Sequence, residues 1–282
     1  DLIIEANKAP LSILVIGKPR SGKSSVAKDL SEALDIVHIS IKNYINALLT
    51  KIANYEPPEE LEDGEEPPKF LSDLEDEVHQ VLKSGKGPDD ALMVRMLAET
   101  INSSEAQTKG YVIDLPFHRR KETWYETLER GDLNIKLEDL SFIIELNMSD
   151  TDIKIRSQGI RFDPETGEVV SRWERDERRK PKKKKGDEDD EGEEDEEEEI
   201  EESEDAPKKP KILEEDKVLI RGKDLEDKLD EELQNYNSVE RPSFQKLIDP
   251  LHYHQYISLD CAGLRPDVIK ESLVTRIKRD DT

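Results

Sequence analysis

The sequence predicts an α/β fold in which a five-stranded parallel sheet is covered by helices on both faces. Two observations predict this fold. Short β-branched apolar runs alternate along the chain with longer runs whose apolar residues recur at helical spacing, and this alternation is typical of parallel strands joined by right-handed helical crossovers. The first apolar run also passes through a glycine-containing loop directly into the first helical run. We therefore expect three layers built on one sheet.

Each predicted strand is a short apolar run that ends in a loop or at a helix start. The five predicted strands cover residues 13–16, 36–39, 110–114, 142–146 and 253–259. The predicted helices cover residues 25–34, 41–53, 71–82, 89–101, 122–128, 149–157, 225–236 and 266–277. A loop rich in Pro, Glu and Gly is expected over residues 55–69, and a turn between two short extended pieces over residues 162–171.

The loop after the first predicted strand reads G-K-P-R-S-G-K-S-S over residues 17–25 and matches the pattern G-x-x-x-x-G-K-[ST]. Glycines let backbone amides point at phosphate oxygens, and the following helix adds the partial positive charge of its N-terminus. Lys23 can reach the β- and γ-phosphates, and the Ser24 hydroxyl can bind Mg²⁺. The pattern predicts a nucleoside triphosphate site formed by Gly17, Arg20, Ser21, Gly22, Lys23, Ser24 and Ser25.

Acidic residues are concentrated in one segment of the chain. Residues 187–205 hold sixteen carboxylates and no basic residue, and so account for most of the net charge of −25. A basic run precedes this tract, and both lie in a low-complexity segment, residues 172–210, with almost no apolar residue to bury. We expect this segment to be a disordered insertion in an otherwise globular chain. The net negative charge argues against nucleic acid as a partner.

Cysteine content, apolar stretches and the N-terminal sequence indicate where the protein is located and whether the chain is part of a longer one. The single cysteine, Cys261, excludes an intrachain disulfide and suits the reducing cytoplasm. No apolar stretch reaches about 18 residues, so no membrane span and no membrane partner are predicted, and no signal-peptide pattern precedes the first strand. Because the chain begins at Asp1 rather than at methionine, we expect it to be a piece of a longer protein with further domains.

The order of these motifs resembles that of adenylate kinases and related nucleoside monophosphate (NMP) kinases. After the phosphate loop, residues 38–40 (H-I-S) stand where that family has h-I-S-T-G-D, and residues 110–114 (G-Y-V-I-D) resemble the start of its G-F-I-L-D-G-F-P-R stretch. Residues 161–169 (R-F-D-P-E-T-G-E-V) resemble its LID segment. The resemblance implies a P-loop kinase fold. It also implies one domain over residues 1–282, divided into a CORE of residues 11–40, 110–155 and 218–282, an NMP-binding region of residues 41–101, and a LID of residues 157–220 that carries the charged insertion.

The resemblance further implies a reaction, the in-line transfer of the ATP γ-phosphoryl group to a nucleoside monophosphate, with Mg²⁺ and arginines stabilising the spread charge. The implied residues are Lys23, Arg156 and Arg221 for catalysis, Arg156 also for ATP, Ser24 and Asp114 for Mg²⁺, and Ser40, Arg119 and Arg161 for the monophosphate. The alternative for Asp114 is a strand-end cap, and the alternative for each arginine is a solvated surface charge.

Several positions depart from the family pattern on the acceptor side. Where the family has phosphate-binding arginines, this sequence has Asn46, His118, Ile160 and Glu232. A carboxylate facing the transferring phosphate would oppose the reaction. Loss of one arginine that binds the transferring phosphate costs about 10³–10⁵ in rate. Arg119 and Arg120 could restore a clamp beside His118. Two functions therefore stay open: a nucleotide kinase with a weakened acceptor site, and a nucleotide-binding scaffold module without turnover.

Within the family, the chain most resembles the divergent modules of long ciliary and flagellar proteins. This resemblance implies a cytoplasmic location, with the cilium or flagellum as its more specific form. It also implies axonemal proteins as partners, in addition to ATP and a nucleoside monophosphate.

Replacing residues 172–210 by a short Gly/Ser turn is expected to leave the thermal midpoint nearly unchanged. The segment has almost nothing apolar to bury, and loop-closure entropy changes slowly with length. Calorimetric melting of the parent and shortened chains measures the effect. Loss of the single cooperative transition in the shortened chain would show that the segment packs on the domain.

Overall fold

The computed structural model describes residues 10–55, 69–116, 123–133, 135, 140–162, 169–170, 226–249 and 255–280. The strands are β1 Ser12–Gly17, β2 Val37–Ile39, β3 Tyr111–Asp114, β4 Phe142–Asn147, β5 Arg161–Phe162, β6 Val169–Val170 and β7 Tyr256–Asp260. The helices are α1 Lys23–Leu34, α2 Ile41–Ala53, α3 Asp73–Lys83, α4 Asp90–Ile101, α5 Ser104–Lys109, α6 Trp124–Glu129, α7 Asp150–Gly159, α8 Glu226–Asn235, α9 Arg241–Ile248 and α10 Pro266–Asp280. A π-helical turn, Tyr236–Glu240, lies between α8 and α9.

Five strands of the described chain form one parallel sheet in the order β2-β3-β1-β4-β7. β1 is central, and its Leu14 is in register with Ile113 of β3 and Ile143 of β4. A strand enclosed on both faces needs apolar side chains in both directions, and every residue of β1 is buried. The predicted α/β fold with a five-stranded parallel sheet is confirmed.

Apolar side chains cover both faces of this sheet. One cluster contains Leu14, Ile16, Trp124, Tyr236 and Phe244. Successive strand residues point to opposite faces, so Ile13 and Val15, which are also fully buried, belong to the other face. The α1 helix contacts β1 and β3 and packs against α10.

Helices α2, α3 and α4 form a second, smaller core around Leu48, Val78, Leu92 and Met96. Each of these helices begins after a capping side chain: Ser40, Ser72 and Asp89 accept hydrogen bonds from backbone amides in the first turn. The helices lie within residues 41–101, for which the sequence predicts NMP binding. That role stays a prediction.

The sequence does not predict α5 or α9. α5 has only six residues and one buried apolar side chain, Ala106, so it has no periodic pattern, and its start depends on the Ser103 cap. α9 follows the π-helical turn and has a proline in its first turn, which reads in the sequence as the end of a helix. The short strands β5 and β6 pair antiparallel, as the predicted turn requires. The predicted charged insertion lies outside the described residues.

The chain divides into two compact units, Asp1–Ile153 with Asp230–Thr282, and Lys154–Leu229. The first unit contains the parallel sheet and the second contains the β5–β6 pair. Among the described helices, none combines the length and the apolar character needed to cross a bilayer.

Gly110 joins α5 to β3 at the point where three strands begin. Its φ is +89°, and a Cβ at this position would lie 2.5 Å from the backbone oxygen and 2.8 Å from the backbone nitrogen of Leu11. The Gly110 carbonyl accepts from the Val37 amide at 3.0 Å, and the Tyr111 amide donates to the Leu11 carbonyl at 2.7 Å. Only glycine fits this close approach of backbones.

Gly110→Ala is expected to destabilise the protein by about 3 kcal/mol or more, since backbone strain and steric overlap both act there. Gly85→Ala is the matched control: its φ is +73°, but no atom lies within 4 Å of the added Cβ, so strain alone should cost about 1 kcal/mol. Urea unfolding measures both. Equal losses in the two variants would contradict the role of the Leu11 contact.

Candidate phosphate-binding site

The candidate site lies at the carboxyl end of the parallel sheet, where β1 enters the phosphate loop of residues 17–25. From β1 the chain continues to β2 and β3 on one side, and later to β4 and β7 on the other. Open α/β sheets bind ligands in the crevice where the strand order reverses in this way. Gly17 ends β1 in register with Leu146 of β4, which places the start of the loop at this crevice.

Two glycines allow the loop to turn tightly. Gly17 has φ of +149°, and a Cβ there would lie 2.8 Å from the Leu146 carbonyl oxygen and 2.9 Å from Ser21 Oγ. Gly22 has φ of +102°, and the Ser21 amide donates to the Lys18 carbonyl at 3.2 Å. Because neither glycine carries a side chain, the backbone can approach a phosphate closely.

The N-terminus of α1 lacks a side-chain cap among the described residues, and Gly22 occupies the cap position. The first helical amides, those of Lys23, Ser24 and Ser25, precede the first possible intrahelical acceptor. In contrast, α2 to α6 each begin after a Ser, Thr or Asp that caps them. An uncapped helix start with its partial positive charge fits an anion such as a phosphate group.

The ammonium of Lys23 folds back onto this loop. It donates to the backbone oxygens of Gly17 at 3.0 Å and of Lys18 at 2.9 Å. Burial lowers the pKa of Lys23 to about 8, the positive charge of Arg20 adds to this shift, and the carboxylates of Asp114 and Glu232 oppose it. The ammonium is therefore poorly stabilised by two carbonyl dipoles, and a phosphate oxygen would stabilise it better.

The loop's other two cations are paired with carboxylates. Lys18 Nζ lies 2.5 Å from Asp150 Oδ1, and the second oxygen of Asp150 accepts from Asn237 Nδ2 at 3.0 Å. Arg20 Nη1 donates to Glu232 Oε2 at 3.0 Å, and the two side chains are 13% and 23% exposed. Glu232 thus reaches the phosphate loop, where Arg20 balances its charge; whether it opposes the reaction there stays a prediction.

The predicted Mg²⁺ ligands flank the loop in the fold. Asp114 ends β3 in register with Val15 of β1 and is 8% exposed, and Ser24 is exposed in the first turn of α1. The described residues contain no group of three or more His, Cys, Asp or Glu that could hold a metal ion. One hydroxyl and one carboxylate fit Mg²⁺ that arrives with a nucleotide, since phosphates and water supply its other ligands.

A polar cavity of about 390 Å³ opens beside Lys18 at the ends of β4 and β7. The buried carboxylate of Glu145, which lines it, lies 2.8 Å from Arg241 Nε and accepts from the Tyr256 hydroxyl. Burial and that hydrogen bond raise the pKa of Tyr256 to about 12. Sequence reasoning missed this cluster, although Glu145 is visible as a carboxylate within an apolar strand.

Two positions of the predicted monophosphate site, Ser40 and Asn46, lie among the described residues. Ser40 is buried, and its hydroxyl oxygen accepts from the Asn43 amide at 3.1 Å, so it caps α2 in addition to any role toward a ligand. Asn46 is exposed on α2. Neither residue carries the positive charge that a monophosphate clamp needs.

Of the arginines predicted for the LID side of the site, Arg156 and Arg161 lie among the described residues. Arg156 lies on α7. Arg161 donates through Nη1 to the carbonyl oxygens of Gln158 and Ile160 at 2.7 and 2.8 Å, which ties that nitrogen to the local turn. The remaining candidates lie outside the described residues: His118, Arg119, Arg120 and Arg221. Their roles stay predictions.

No family model matches the sequence. The chain is similar to adenylate kinase 7 of Macaca fascicularis, with 26% identity over 115 residues, which are 37% of this chain and 22% of that protein. It is also similar to probable adenylate kinase 2, chloroplastic, of Oryza sativa subsp. japonica (23% over 168 residues, 60% of this chain and 49% of that protein). A third relative is adenylate kinase of Coxiella burnetii, with 26% identity over 164 residues, 58% of this chain and 59% of that protein. The chain thus spans about a fifth to three-fifths of the length of these curated relatives.

The affinity for a nucleoside triphosphate is expected to fall as the pH rises through about 8, the pKa of Lys23 before a ligand binds. Only the ammonium form binds phosphate, so binding raises this pKa and takes up a proton between the two values. Isothermal titration at about pH 8.5, in buffers with different ionisation enthalpies, measures the uptake.

The control is the wild-type chain at about pH 7, where most of Lys23 is already protonated before binding. Proton uptake through Lys23 should be much smaller there. Binding enthalpies that do not depend on the buffer at the higher pH would contradict a lowered pKa of Lys23 before binding.

Proposed function

We propose that this adenylate-kinase-like chain binds ATP with Mg²⁺ at its phosphate loop and transfers the terminal phosphoryl group slowly to a nucleoside monophosphate. The observation that carries the proposal is the ammonium of Lys23, which lies 3.0 and 2.9 Å from two loop carbonyls at the start of an uncapped helix. This combination of a cation and helix amides suits a polyphosphate.

In the proposed reaction, the loop backbone binds the inner phosphates and Lys23 exchanges its carbonyl acceptors for β- and γ-phosphate oxygens. Both interactions hold the terminal phosphate in one place and stabilise the charge that spreads over its oxygens during transfer. Mg²⁺, held by Ser24 and Asp114, would neutralise further phosphate charge.

The low rate follows from the acceptor side. Asn46 and Ile160 are uncharged, and Glu232 is negatively charged, at positions where the resemblance implies arginines. Each missing clamp costs orders of magnitude in phosphoryl transfer. The acceptor nucleotide can be any monophosphate that the region of residues 41–101 accommodates.

A second candidate function is nucleotide binding without transfer, as a scaffold module of a larger protein. The same uncharged acceptor positions favour it, since they weaken transfer while leaving the phosphate loop complete. A cytoplasmic or ciliary location and axonemal partners belong to this proposal too, and rest on the sequence resemblance alone.

Lys23→Ala is expected to abolish the stabilisation that ATP with Mg²⁺ gives to the wild-type chain. At a hundredfold excess over Kd, binding stabilises the folded state by about 3 kcal/mol, and raises the melting temperature by several degrees. Lys28→Ala is the matched control, because Lys28 lies on the same helix with its side chain 68% exposed. Differential scanning fluorimetry compares the three proteins, and an unchanged ATP shift in Lys23→Ala would contradict the assigned site.

The transfer reaction is tested by following diphosphate formation from ATP with AMP, CMP, UMP or GMP. Turnover well below the ordinary kinase range of about 1–100 s⁻¹ is expected. ATP binding without any diphosphate would select the scaffold function, whereas ordinary turnover would contradict the weakened acceptor site.

A further inference from the structure

Arg20 has an unusual backbone conformation within the phosphate loop. Its φ is +64°, and in the described chain Asp35 is the other non-glycine residue with a positive φ. This left-handed conformation costs a residue with a Cβ about 1 kcal/mol or more, and it persists where surrounding contacts impose it. The ion pair with Glu232 of α8, 212 positions away in the sequence, is such a contact.

The Arg20–Glu232 pair lies next to the phosphate-binding lysine. Arg20 precedes Lys23 by three positions in the loop, and the charges of both Arg20 and Glu232 act on the Lys23 ammonium. The backbone amides of the loop enclose the inner phosphates. The guanidinium extends from the loop to α8, and its charge acts on the Lys23 ammonium, the group that a phosphate loop directs at the β- and γ-phosphates.

Geometry also gives Glu232 a defined role. A guanidinium carries five N–H donors in a rigid planar fork, and a carboxylate oxygen 3.0 Å from Nη1 holds that end of the fork at α8. The same carboxylate balances the positive charge of Arg20. Both effects prepare the guanidinium for an incoming anion, as the outer ligands of a metal site orient the inner ones.

We propose that Arg20 donates from within the phosphate loop to the terminal phosphate of the nucleoside triphosphate, and that Glu232 is the positioning residue that orients it. The inference rests on the proposed function and adds the group by which the site distinguishes a triphosphate from a diphosphate. The proposal also accounts for a carboxylate at position 232, where the resemblance implies an arginine. Here the cation comes from the phosphate loop, and Glu232 on α8 orients it.

The test is the preference for ATP over ADP, measured by isothermal titration of each nucleotide with Mg²⁺. Arg20→Ala should reduce the ratio Kd(ADP)/Kd(ATP) by about 10- to 100-fold, the value of one charge-assisted hydrogen bond, while the affinity for ADP changes little. Arg20→Gly should give the same loss without the backbone strain at φ +64°, so it carries the test if Arg20→Ala folds poorly. Arg20→Lys should be intermediate, because a lysine keeps the charge without the fork.

Two variants at position 232 distinguish orientation of Arg20 by Glu232 from repulsion of phosphate by Glu232. Glu232→Gln keeps an oxygen that accepts from Arg20, and should preserve the ATP preference; Glu232→Ala removes the acceptor, and should lower it. Arg130→Ala is the matched control, since it breaks the Arg130–Asp132 pair (2.7 Å) after α6, outside the phosphate loop and the predicted NMP-binding region, and should leave the ratio unchanged.

Each outcome decides a different claim. A wild-type ATP preference in Arg20→Ala or Arg20→Gly, or equal losses for ATP and ADP, overturns the role of Arg20 and leaves the proposed function standing. Higher ATP affinity in both Glu232→Gln and Glu232→Ala overturns the positioning role, because it would mean that the carboxylate only repels phosphate. Failure of the wild-type chain to bind either nucleotide overturns the proposed function itself, and this inference with it.

Discussion

A desolvated ammonium, that of Lys23, is the constraint on which the site depends. Removing it from water is unfavourable, and the backbone oxygens of Gly17 and Lys18 compensate in part. Those oxygens converge on one point because Gly17 has a positive φ and lies against the Leu146 backbone. That approach in turn requires β1 to run between β3 and β4 in a parallel sheet. The position of the Lys23 ammonium therefore depends on Gly17, and the position of Gly17 depends on the order of the strands.

The charged side chains of the loop and their neighbours nearly balance one another. Lys18 and Arg20 are held by Asp150 and Glu232, and Asp114 acts on Lys23 from the end of β3. An anionic ligand does not meet bare cations here, because Lys18 and Arg20 already have carboxylate partners. The affinity of the site is the gain from phosphate contacts less the loss of any carboxylate contact that the ligand displaces. Modest changes in the surrounding carboxylates can thus alter the affinity for phosphate strongly, since each charged contact amounts to about 1.5–3 kcal/mol.

Local patterns made the sheet and the loop predictable. The strands are continuous apolar runs, and the residues 17–24 carry a motif whose glycines and lysine have fixed roles. The ion pairs were not predictable in the same way, because Arg20 and Glu232 are 212 positions apart and Lys18 and Asp150 are 132 apart. Short α5 and proline-containing α9 lack the periodicity on which helix prediction depends. The acceptor-side assignments at Arg119 and Arg221 fall outside the described residues and stay predictions.

The π-helical turn Tyr236–Glu240 contains one residue more than an α-helical turn would hold. Everything after it is rotated by about 100° relative to an uninterrupted helix. Before the turn, Glu232 contacts the phosphate loop; after it, Arg241 contacts Glu145 in β4. An ungapped alignment with a relative whose helix is regular would therefore shift every position beyond residue 240 by one, and would transfer the relative's residues to the wrong side of α9. Homologous positions in this part of the chain should be counted with a single-residue insertion in the turn.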